Sequence, residues 1–172
     1  EGFTQYYGNL TLKRADLRTE DQLLRTFNGF IQAALNTPGA KYYSPVEASR
    51  YAVFADAGVS IDQTNKSNIF TSYYSYGAAI ALGLDLELRV KFNKTLDDFM
   101  RVLWKKHGKP EISYSLKDVE VCLASITNEK YAAEFFNKIV YGTTKSDYAS
   151  LLKYAGYELV KSKPNQAFSG LE

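Results

Sequence analysis

The sequence predicts an all-α domain of six to eight helices, and three observations predict it. Apolar residues recur at three- and four-residue spacing along most of the 172 residues, the period of an amphipathic helix. Helix-opening residues stand ahead of those runs. Connections between them are short and strictly alternating runs are almost missing, which suits a bundle-like packing. The length fits one domain, since a chain of this size buries roughly 70% of its unfolded surface.

The first helix spans Glu1 to about Ala15, with Phe3, Tyr6, Tyr7, Leu10 and Leu12 in helical register and the cations Lys13 and Arg14 at its negative end. Thr19 followed by Gln22 makes a capping box for a second helix carrying Leu23, Leu24, Phe27, Phe30, Ile31 and Ala34. Asn36-Thr37-Pro38-Gly39 stops it, and Ser44-Pro45 restarts a short helix running to about Phe54, with proline at its first position. Asp56 to Lys66 is polar and irregular and reads as a surface loop.

Ala78 to Val90 is ambiguous by period alone: Leu82, Leu84, Leu86, Leu88 and Val90 alternate as in a strand, whereas the alanines and the Ile80, Leu84, Leu88 spacing favour helix. The segment is read as helix, a family resemblance carried by other strings of the chain deciding between the two. Thr95 with Asp97 and Asp98 caps the next helix, which holds Leu96, Phe99, Met100, Leu103 and Trp104 and closes on Lys105-Lys106-His107-Gly108. Ser115 and Asp118 open another with the stripe Leu116, Val119, Leu123 and Ile126; Asn128 begins one with Tyr131, Ala132, Phe135, Phe136 and Ile139, ended by Gly142. The last helix spans about Asp147 to Ala155. Tyr157 to Val160 reads as a short terminal strand, and 161–172 as a linker after a 1–160 domain.

Charge excludes some functions. With 21 basic and 19 acidic side chains the chain carries no electrostatic footprint for nucleic acid or an anionic membrane. No stretch approaches the roughly 18 apolar residues of a membrane span, and no signal-peptide pattern opens the chain, so a soluble domain is expected. A lone Cys122 excludes an internal disulfide and a cysteine-rich metal site, and reads as a small buried hydrophobe. His107, the sole histidine, stands where a cation complements a helix C-terminus. Fourteen tyrosines include the doublets Tyr6-Tyr7, Tyr42-Tyr43 and Tyr73-Tyr74, whose flanks share nothing. They read as separate sites lining a core or cleft, where tyrosine combines an apolar face with a polar tip.

Two strings carry candidate chemistry, Glu1-Gly2-Phe3-Thr4-Gln5-Tyr6-Tyr7 and Ser72-Tyr73-Tyr74-Ser75-Tyr76-Gly77. Both resemble segments of the glycyl aminopeptidase family, PDZ-containing gluzincin metallopeptidases with a thermolysin-like catalytic domain. Asn36-Thr37-Pro38-Gly39, Glu47-Ala48-Ser49, Leu96 to Arg101 and Phe135-Phe136 are similar as well. The resemblance implies a zinc aminopeptidase that removes small N-terminal residues such as glycine or alanine. In it Glu1 would be a zinc ligand and Tyr74, or Tyr73 if the string shifts by one, would stabilise the oxyanion. Thr4 and Gln5, with Tyr7, would support the ligand, and Gly77 would form a tight cleft wall. Tyr76 departs from the lysine of the Tyr-x-Lys-Gly string found in related zinc aminopeptidases.

A gluzincin needs two imidazoles from His-Glu-x-x-His plus a carboxylate, and this chain has one histidine. The expectation is therefore the C-terminal helical part of a catalytic domain, inactive and without zinc by itself. Its partners would be a peptide substrate, an upstream zinc-helix part of the same protein and a possible PDZ domain beyond the linker, with the parent periplasmic or cytoplasmic. The alternatives are a non-catalytic helical module binding a peptide or glycan, and a degenerate peptidase-like domain.

Overall fold

The structure, a computed structural model, describes residues 1–55 and 65–161. It is all-α, with no strand among the described residues. The helices are α1 (Gly2–Arg14), α2 (Glu20–Asn36), α3 (Pro45–Ala55), α4 (Lys66–Ile69), α5 (Tyr73–Phe92), α6 (Leu96–Leu103), α7 (Leu116–Ile126), α8 (Glu129–Phe135) and α9 (Tyr148–Tyr154). A 3-10 turn covers Pro38–Lys41, and π-helical turns continue α6 through Trp104–Gly108 and α8 through Phe136–Val140.

Caps place the helix starts. Thr19 and Gln22 close a reciprocal box on α2, and Ser115 and Asp118 do so on α7, each satisfying two orphan backbone donors. Ser44 and Glu47 bond in the same way ahead of α3. On α6 the box is Thr95 with Asp98, not Asp97: residue N3, three after the cap, is the one that reaches back. Asp97 points elsewhere, accepting from Tyr7 Oη at 3.0 Å and pairing with Arg14 at 2.9 Å.

Helix α5 is the axis of the fold, with α1, α2, α3, α6 and α9 packed around it. Tyr76, Ala78 to Asp85, Glu87 and Leu88 are buried on it, so most of the helix is enclosed on every side and solvent leaves no amphipathic stripe to read. This explains the strand-like alternation of its sequence. The helix also begins at Tyr73, five residues earlier than the Ala78 start expected from periodicity, so the tyrosine string forms its first turn. Asn93, at φ 52°, ends it in the left-handed conformation that asparagine tolerates.

Two carboxylates are buried on this axis and both are satisfied. Asp85 accepts from Tyr6 Oη at 2.7 Å, from the Leu96 N–H at 2.7 Å and from Arg89 at 3.1 Å, so it ties α1 and α6 to α5. Glu87 accepts from Tyr131 Oη at 2.9 Å, Ser146 Oγ at 3.1 Å and Lys91 Nζ at 2.6 Å. Such groups are tolerated inside only when paired and hydrogen-bonded.

Tyr157 to Val160 is neither strand nor helix. No described strand flanks it to supply a ladder, and Tyr157 donates its hydroxyl to Glu20 instead. The loop expected from Asp56 falls outside the described residues over 56–64, and Lys66 already opens α4. The 161–172 linker lies outside them beyond Lys161.

Candidate active-site cleft

Gly2 of α1 and Gly77 of α5 cross backbone to backbone. A Cβ on Gly2 would lie 2.2 Å from the Gly77 carbonyl carbon, and one on Gly77 would lie 2.9 Å from the Gly2 Cα. Only glycine permits this approach. It brings Glu1, the residue before α1, to the beginning of α5.

Beside this crossing lies a cleft of about 570 Å³. Glu1 and Tyr73 line it together with Ser49 and Arg50 of α3, and its floor is apolar, built from Phe3, Ile80, Leu84, Phe99, Leu123 and Phe136. Glu1 is exposed and Tyr73 partly buried. Tyr74 is not part of the lining; its ring leans on that of Tyr73, with centroids 4.5 Å apart. The shared cleft thus joins Glu1 to Tyr73, the alternative tyrosine of the string.

The remaining candidates separate. Gly77 lines the cleft as a close-approach wall. Thr4 and Gln5 are exposed on α1. Tyr7 lies outside the lining and donates to Asp97. Burial pulls the Asp97 carboxyl upward, but the hydrogen bonds from Arg14 and Tyr7 outweigh it and hold it below the usual range. Burial and that same bond push the Tyr7 phenol up.

Tyr76, at the position of the lysine in the related string, is 1% exposed, and burial pushes its phenol up to about 12. Its hydroxyl lies 2.5 Å from Lys145 Nζ. Sequence reading passed over Lys145 and Arg50, and took Ser49 only as part of the Glu47-Ala48-Ser49 string, because single polar residues between helices or on an exposed turn carry no periodic signal. His107 sits in the π-helical turn with its Nδ1 buried and without a hydrogen bond among the described residues, its ring edge-on to Tyr114. Cys122 is fully buried.

Zinc needs at least three protein donors. Among the described residues no group of three or more His, Cys, Asp or Glu side chains could hold a metal ion, and Glu1 is the one such residue in the cleft lining. These residues alone do not fit zinc. What the cleft offers is one carboxylate, one guanidinium and the two phenols of Tyr73 and Tyr114 above an apolar floor.

No helix among the described residues is long and apolar enough to cross a membrane. No curated protein and no solved structure matches the chain. Residues 1–80, which include both tyrosine strings and end just past the Gly2–Gly77 crossing, match the family model described as M61 glycyl aminopeptidase. Over those residues the chain is similar to the M61 glycyl aminopeptidases, the family its strings resemble.

Proposed function

We propose that this chain is the helical part of a thermolysin-like aminopeptidase domain whose intact form removes glycine or alanine from peptide N-termini. The observation that carries the reading is the glycine crossing, which gives Glu1 and Tyr73 one cleft. Peptide hydrolysis passes through a tetrahedral oxyanion, and a phenol held over the apolar floor of the cleft can donate to it. Glu1 would contribute one carboxylate to a zinc whose imidazoles this sequence does not contain, so the isolated chain would be catalytically silent. Residues beyond 160 would lead toward a PDZ domain.

The test is release of glycine or alanine from short peptides by a protein that carries this domain together with His-Glu-x-x-His, with and without a chelator. Chelator-sensitive release is the expected result. No release from a folded, zinc-supplemented protein would leave the apolar floor as the informative feature and favour a peptide-binding module without turnover.

A further inference from the structure

Lys145 lies between the π-helical turn Phe136–Val140 and α9, and its ammonium is half-buried with no carboxylate pairing among the described residues. It donates instead to three neutral acceptors: Tyr76 Oη at 2.5 Å, the Ala40 carbonyl at 2.8 Å and the Thr143 carbonyl at 2.5 Å. Its Nζ also stands 4.6 Å from the centre of the Tyr76 ring. An ammonium has three donors and no acceptor, so this set uses it completely.

The three acceptors sit on separate pieces of the fold. Tyr76 is in the first turn of α5, next to Gly77 and one helical turn beyond Tyr73. Ala40 is in the turn Pro38–Lys41, which leads into α3 and so to Ser49 and Arg50. Ala40 and Tyr76 are each 1% exposed, so unpairing their oxygens would strand buried polar atoms. The neighbouring Ser146 fastens the same strand of chain further along α5, bonding Glu87 and filling the space over Gly83, where a Cβ would meet its Oγ at 2.5 Å.

We propose that Lys145 is a positioning residue for the cleft, its ammonium fixing the wall made by α3 relative to the wall made by the first turn of α5. The assignment of a role in peptide hydrolysis rests on the reading above; the geometry of the walls can be tested without it.

The experiment compares backbone amide NMR spectra of this chain with those of Lys145→Met and Lys145→Arg. Lys145→Met should displace the signals of Tyr73 and Gly77 together with those of Ser49 and Arg50, leave those of Asp21 and Arg25, at the opposite end of α2 from the Pro38–Lys41 turn and outside the cleft lining, in place, and Lys145→Arg should recover at least half of the displacement. Unmoved cleft signals, or equal displacement everywhere, overturns the proposal. Should Lys145→Met not fold, Tyr76→Phe removes a single acceptor at nearly constant volume. It should then move the same set by a smaller amount, and no movement overturns the proposal. Altered walls with no peptide release from the longer protein would refute the peptidase reading alone.

Discussion

At the scale of the residue, the strongest constraints are a glycine pair and a choice between two tyrosines. Replacing Gly77 by alanine drives a Cβ into the Gly2 backbone at 2.9 Å, and neither backbone can step aside as a flexible side chain would. The expected cost is about 1 to 3 kcal/mol, the range for overpacking a close contact, read as a lowered urea midpoint. Sequence similarity favours Tyr74 as the oxyanion donor, whereas the cleft holds Tyr73. In an active protein carrying this domain, Tyr73→Phe should lower kcat by about 10² to 10³ with metal content retained, and Tyr74→Phe should change it little. The opposite pattern returns the role to Tyr74. Glu1→Ala in that protein should lose zinc; full stoichiometry after the change would remove Glu1 from the ligand set.

At the scale of the element, capping and periodicity were legible and the central helix was not fully so. Thr19, Ser44, Ser115, Asn128 and Asp147 each accept from the backbone of the helix that follows, because a cap acts within three residues and needs no tertiary context. Helix α5 differs, since burial on every side removes the polar face that periodicity reads. Its hold on the rest of the molecule is concentrated at Asp85. Asp85→Ala leaves the Tyr6 hydroxyl and the Leu96 N–H buried without acceptors, and each such loss costs roughly 1 to 3 kcal/mol. A destabilisation of about 2 to 6 kcal/mol is expected by chemical denaturation. A change below about 0.5 kcal/mol would mean that water replaces the carboxylate.

At the scale of the whole molecule, tyrosine chemistry sets the alkaline limit. Burial, then the charge of Asp85, pushes Tyr6 up; burial and Glu87 do the same to Tyr131, and burial raises Tyr148. Unfolded tyrosines ionise near pH 10, so above that value the unfolded chain sheds protons that the folded chain keeps. The folded state then binds more protons, and its stability, complete below about pH 10, falls as pH rises further. Tyrosinate absorbance should grow in step with loss of helical circular dichroism. Titration of these phenols near pH 10 in a chain that stays helical would refute the coupling. By itself the sequence determined the helical class, most helix boundaries and the family likeness, because caps, apolar spacing and short strings act through neighbours along the chain. Only the tertiary structure decided that the tyrosine string is a helix turn, that Asp97 serves Tyr7 and Arg14, that 157–160 forms no strand, and that Tyr73 rather than Tyr74 shares a cleft with Glu1. Those outcomes depend on which residues meet across long stretches of sequence, and a glycine crossing or a buried carboxylate leaves no periodic trace of its partner.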